Sequence, residues 1–292
     1  MSVPAQVDQG SRAPARRGRK LRAFTHNPAF MAGSVILALF VLMAVFADML
    51  CPGDPFDMVG QPVLWPGQDP EFPLGTDSLG RDVLAGLVHG SRVSLLVGVV
   101  AAAIGLAIGT VVGALAGFFG GWVDTWLLRI VELFQTTPTF LLVVVIVAIG
   151  DPTVQTIAVA IGIASWPTVA RLVRAQFRSL READFVMAAR SLGYGNIRII
   201  VQEIMPNALP PIIVAASVMI ANAILTEAGL SFLNMRDPNL ISWGGMIGAG
   251  RDFLRTAWFL TALPGVAIAL AVLSLNLVGD GLNEILNPRS DP

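Results

Sequence analysis

Six runs of this chain are free of ionisable side chains and long enough to cross a bilayer, which takes about 20 apolar residues in helical form. They cover residues 29–47, 93–123, 133–150, 152–170, 204–226 and 256–279. The third is the least regular, because Arg129 and Glu132 stand at its start. Hydrocarbon offers no water to backbone N–H and C=O groups, so each run must close its hydrogen bonds internally. An all-α membrane protein with six transmembrane helices is therefore expected. Composition agrees, since 13% of the 292 residues are charged, against roughly 25% in a soluble domain.

Orientation follows from the basic residues, which favour cytoplasmic loops. Arg12, Arg16, Arg17, Arg19, Lys20 and Arg22 crowd the N-terminal tail. With that tail inside, six spans also bring inside Arg129, Arg171, Arg174, Arg178, Arg181, Arg190, Arg198 and Arg289. Arg81, Arg92, Arg236, Arg251 and Arg255 stay outside, so both termini are expected in the cytoplasm. A secretory signal has a shorter apolar core of about 7–15 residues and a small-residue cleavage site. The first run is longer and no clear site of that kind follows it, so it reads as an uncleaved span. The chain divides into a basic cytoplasmic tail (1–25), a first transmembrane helix (26–50) and an extracytoplasmic loop (51–90) rich in Pro and Gly. A core (91–292) then holds five more spans and a cytoplasmic loop (171–206).

The chemistry-bearing residues exclude several functions. Cys51 is the single cysteine, and His26 and His89 lie far apart, so no disulfide framework, metal site or nucleophile–base pair is expected. A net charge of −1 gives no general surface for nucleic acid. A phosphate-binding P-loop needs Gly-Lys-Ser/Thr, and Lys20, the one lysine, sits between Arg19 and Leu21. An ion-driven secondary transporter calls for ionisable residues near the bilayer midplane, which the six runs lack.

Within the spans, small residues recur every fourth position at Ala101, Gly105, Gly109, Gly113, Gly117 and Gly121. Lipid gives helices no hydrophobic reason to associate, so such a face is expected to meet protein, as static packing or as a sliding contact. Pro138 follows Gln135, Thr136 and Thr137, and Pro167 follows Ser165 and Trp166. Each proline removes a backbone hydrogen bond and kinks its helix. Gln135, Thr136, Pro138 and Ser165 are candidate pathway residues, with simple bends the alternative. Glu227 follows the fifth run directly, where it either meets a substrate amine or caps a helix or pairs with an outside arginine.

The 171–206 loop is too polar for lipid. Arg171, Arg174, Arg178 and Arg181 recur at helical spacing, which carries the fourth span into the cytoplasm with a basic stripe. Val173, Phe177 and Leu180 line a neighbouring face. Glu182, Ala183 and Asp184 lead into Met187-Ala188-Ala189-Arg190-Ser191-Leu192-Gly193, where alanine favours helix and glycine ends it. Composition alone favours a surface-lying helix over a docking one.

The same residues resemble the cytoplasmic signature loop of ABC importer permeases: an Ala-Ala pair, glycine four residues on, and Pro206 thirteen beyond that. Further blocks resemble the dipeptide, oligopeptide and nickel permease branch. They are the Pro73-Leu74-Gly75-Thr76-Asp77-Ser78-Leu79-Gly80-Arg81-Asp82 stretch, Gly117-Phe118-Phe119-Gly120-Gly121-Trp122-Val123-Asp124, Glu227-Ala228-Gly229-Leu230-Ser231, Ser242-Trp243-Gly244 and Asn287-Pro288-Arg289. Departures are Met187 where glutamate is usual, Glu203 where histidine is common, and Asn234 in place of glycine.

The resemblance implies a type I ABC importer permease fold in a bacterial plasma (inner) membrane. It implies a homologous second permease subunit, two ATP-binding subunits that use ATP and Mg, and an extracytoplasmic substrate-binding protein. The chain itself is expected to bind no cofactor and to catalyse nothing. Glu182, Ala183, Asp184 and residues 187–193 would couple it to the ATPases. Peptides are the implied substrate, with nickel or another small solute as the alternative.

Overall fold

The computed structural model describes residues 27–286, and all regular elements among them are helices, apart from two isolated bridges. In chain order they are α1 (Pro28–Val45), a short α2 (Ala47–Leu50), α3 (Val83–Phe119), α4 (Gly121–Thr136), α5 (Thr139–Ile149) and α6 (Val154–Leu180). There follow α7 (Asp184–Ser191), α8 (Asn196–Phe232), α9 (Trp243–Gly250) and α10 (Phe259–Leu286). By length and hydropathy α1, α3, α6, α8 and α10 can each cross a membrane. The third expected span is instead a pair, α4 and α5, bent by 81° at the break between them. The residue before a proline avoids helical backbone. Accordingly Thr137 is extended (φ −95°, ψ 130°) and Pro138 opens α5. Pro167, expected to kink its span, is carried inside the unbroken α6.

α3 starts at Val83, ahead of the apolar run that announced it. The Asp82 carboxylate accepts hydrogen bonds from the Leu84 and Ala85 amides and caps the helix. Arg92 is tolerated because its guanidinium is held by the residues that end α1 and open α2. It donates to both oxygens of Asp48, at 2.8 and 2.9 Å, and to the Val45 carbonyl at 3.1 Å, tying the end of α1 to α3. That hydrogen bonding holds the Asp48 carboxyl below its ordinary range.

The most extensive helix contact is α3 against α6. Ala101, Gly105, Gly109, Gly113 and Gly117 are all buried, and the last three face Trp166, Val169, Val173 and Phe177. A Cβ on Gly109 would sit 2.6 Å from Val169 Cβ and 2.8 Å from the Trp166 carbonyl. Gly121, the last of the expected series, does not belong to this face, because it opens α4 with φ +51° and no neighbour within 4 Å.

α8 runs farther than its apolar run at both ends. A π-helical turn, Ile199–Ile204, interrupts its N-terminal part, and the helix continues past Glu227 to Phe232. It stops on Asn234 at φ +66°, whose amide bonds the Ser231 carbonyl while that of Met235 bonds Leu230. Asparagine tolerates this left-handed conformation better than any residue but glycine, which accounts for its standing where the resemblance implied glycine.

Residues 51–82 form no long helix but are closely hydrogen bonded. Gly80 (φ +79°) accepts from the Val59 and Gly60 amides, and its backbone lies so close to Gly60 that no side chain fits. Trp65 packs on Phe259, ring centroids 5.3 Å apart, and seats this segment on α10.

Candidate functional site

The signature loop folds as α7 with a two-bond glycine stop. The Gly193 amide donates to the Arg190 carbonyl at 2.9 Å and the Tyr194 amide to that of Ala189 at 3.1 Å, with Gly193 at φ +81°. This is the Schellman arrangement, which satisfies carbonyls left over at a helix end. Asp184 stands in the first turn, where a carboxylate meets the positive end of the helix dipole.

The two alanines have different surroundings. Ala188 is exposed, whereas Ala189 and Val186 are buried with Val173 and Phe177 of α6, Ala114 and Phe118 of α3, and Ile199, Ile204 and Ala208 of α8. α7 thus covers the packed ends of three spans through Val186 and Ala189. Its outer side presents Met187, Ala188 and Arg190, and Leu192 just beyond is 73% exposed. Ile197 and Val201 extend this apolar surface onto α8. Glu182 is exposed and pairs with Arg181 at 2.9 Å, Ala183 precedes the first turn, and the Ser191 hydroxyl donates to the Met187 carbonyl.

Behind the loop, Arg174 of α6 grips Asp124 of α4 through two parallel hydrogen bonds of 2.5 and 2.7 Å. Such forked pairing fixes direction as well as distance. Arg181 reaches the Phe118 carbonyl at 3.2 Å, and the Arg190 guanidinium lies 5.7 Å from the Phe118 ring. The basic stripe therefore ties the C-terminal ends of α3 and α6 to the start of α4.

A cleft of about 720 Å³ opens between α5, α6 and α8. No charged residue lines it, and its polar groups are Thr139, Ser165, Thr168, Asn222 and Thr226. Ser165 is there as expected, with its hydroxyl bonded to the Ile161 carbonyl at 2.7 Å. Gln135, Thr136 and Pro138 sit exposed at the α4–α5 break and do not line it. Asn222 escaped sequence reasoning, since a lone amide does not interrupt an apolar run. It is exposed in the interior of α8, and its side-chain amide makes no hydrogen bond among the described residues.

Glu227 corrects an expectation. It lies inside α8 rather than past its end, is 3% exposed, and pairs with no arginine among the described residues. One carboxylate oxygen accepts from the Ser231 and Ser242 hydroxyls at 2.8 and 2.7 Å. Ser242 also accepts from the Gly245 amide, so this cluster staples the start of α9 to α8 and keeps Glu227 off the cleft.

This arrangement of bent and packed spans with a short helix seated on their ends is that of a transport permease. The chain belongs to the family of binding-protein-dependent transport system inner membrane components, whose profile matches residues 109–292. The N-terminal TM domain of oligopeptide transport permease C matches residues 18–69. The di/tripeptide transport system permease protein DppC of Pseudomonas aeruginosa is 38% identical over 92% of this chain and 90% of its own length. The dipeptide transport system permease protein DppC of Escherichia coli (strain K12) is 42% identical over 91% of both. Among solved structures, a chain of the inward facing MetNI methionine ABC transporter superposes with a TM-score of 0.58 at 20% identity, covering 69% of this chain and 96% of that one. An amino acid ABC transporter chain gives 0.54 at 16% identity, covering 69% and 94%. The fold is thus that of a type I ABC importer permease.

Proposed function

We propose that this chain is one permease subunit of an ATP-driven peptide importer, with both termini in the cytoplasm. The names of its relatives support di- and tripeptides as cargo. The uncharged cleft supports the same reading, because its hydroxyls and amide suit the polar backbone that every peptide shares. A homologous second permease would close the open side of the cleft. An extracytoplasmic receptor would deliver cargo, and two ATPase subunits would bind ATP and Mg, which this chain, without a P-loop, does not hold.

The observation that carries the reading is the seating of α7. A helix with an exposed face at Met187, Ala188 and Leu192 and a buried face shared with α3, α6 and α8 converts a push from below into motion of the spans. Glu182, Ala183, Asp184, Arg190, Ser191 and Gly193 would shape that contact. The bundle is the bistable element, and ATP binding by the partners biases it. Co-purification and uptake test this together. The tagged chain is expected to retain an ATPase and a second permease, and proteoliposomes holding the complex and its receptor are expected to accumulate dipeptide with ATP. A chain that purifies alone, or uptake driven by an ion gradient without ATP, would rule it out.

A further inference from the structure

A second cavity, of about 310 Å³, lies on the opposite side from α7, between the 51–82 segment and the stretch around α9. Its charged walls are Asp77, Arg81, Asp82, Arg236 and Asp237. The three carboxylates are held by backbone. Asp77 accepts from the Leu79 and Arg81 amides, Asp82 from Leu84 and Ala85, and Asp237 from Asn239 and Val154. Arg236 donates to the Gly245 carbonyl at 2.7 Å. Arg81 is different: its side chain makes no hydrogen bond or ion pair among the described residues, and its Nε is buried without a partner. Its guanidinium carbon rests 4.9 Å from the centre of the Phe56 ring, which orients the group and leaves its donors unspent. A buried donor without an acceptor is costly and calls for an explanation.

A guanidinium fork complements a carboxylate. An anion alone is disfavoured here, because the walls carry three negative groups against two positive ones. A ligand with both signs resolves this. Small-ligand pockets begin at roughly 300 Å³, and Met246 and Leu260 supply apolar wall. We propose that this cavity is a binding site for a short zwitterionic peptide, its α-carboxylate on Arg81 and its α-ammonium on the aspartate side. The site rests on the peptide-importer reading and adds to it a station outside the cleft, loaded before the spans open.

The test uses the complete permease–ATPase complex in nanodiscs without receptor, titrated with alanyl-phenylalanine, its C-terminal amide and its N-acetyl form. The free dipeptide is expected to bind about tenfold tighter than either blocked form. Arg81→Gln is expected to erase the preference over the amide and Arg81→Lys to restore part of it. The comparison of ligands on the unaltered complex stands even if Arg81→Gln misfolds. Equal binding of acid and amide, or an Arg81→Gln effect confined to receptor affinity, overturns the site while dipeptide uptake by the complete system continues. Absence of dipeptide uptake by that complete system overturns the importer reading itself, and this site with it.

Discussion

At Gly193 the requirement is conformational and nothing else. A Cβ there would meet no atom within 4 Å, yet φ is +81°. Left-handed backbone costs a side-chain-bearing residue about 1–2 kcal/mol, a factor of roughly 5–30 in an equilibrium. Gly193→Asn is therefore expected to keep most dipeptide uptake, and Gly193→Val to lower uptake per ATP hydrolysed by about fivefold or more. Equal coupling in the two variants would remove the glycine stop from the mechanism. The same logic runs in reverse at Asn234, where Asn234→Gly is expected to leave the melting temperature of the purified protein unchanged or raised, and Asn234→Val to lower it. The glycine stop was legible because an Ala-Ala pair preceding glycine marks a helix end. That Ala188 points out and Ala189 in was not, since the facing depends on which spans lie above.

Among elements, the repeat of small residues on α3 announced a protein-facing side, but pattern alone does not name the partner. The structure supplies α6, with Gly109 against Val169 and Gly113 against Val173. Overpacking a tight contact costs about 1–3 kcal/mol or more. Gly109→Leu is accordingly expected to cut the yield and thermal stability of the complex, while Val111→Leu on the exposed side of the same helix leaves both unchanged. Asp124→Asn offers a second measurement, because it leaves Arg174 half-buried without its fork. The double change Asp124→Leu with Arg174→Met is expected to be less damaging than Asp124→Asn alone, as removing one partner strands the other. The π turn at Ile199–Ile204 was invisible in sequence, since an extra residue per turn leaves no compositional mark. Pro138 did mark a bend, but the extended Thr137 that turns a kink into a break of 81° depends on local backbone that apolar periodicity does not encode.

For the whole molecule, α6 and α8 do two things at once: the end of α6 and the start of α8 hold α7, and their middles wall the cleft. Force applied at Met187 and Leu192 therefore has a short rigid path to Ser165 and Asn222. An exposed amide in a membrane helix is expensive against lipid, so the Asn222 side of α8 is expected to face water, cargo or the proposed second permease. Asn222→Leu distinguishes these surroundings from lipid. Against lipid the change would stabilise the helix and leave uptake intact, whereas in a pathway it is expected to leave the complex assembled and reduce dipeptide uptake. Cys51, the chain's one cysteine, opens the 51–82 segment, and with Cys51→Ser in place Asn222→Cys is labelled alone. In the assembled, reconstituted complex its reaction with a membrane-impermeant maleimide is expected to change when a non-hydrolysable ATP analogue is added. Gly193→Val in the same background should blunt that change. Labelling that ignores nucleotide in both backgrounds would disconnect the lever at α7 from the wall at Asn222, even though both are built on the same two helices.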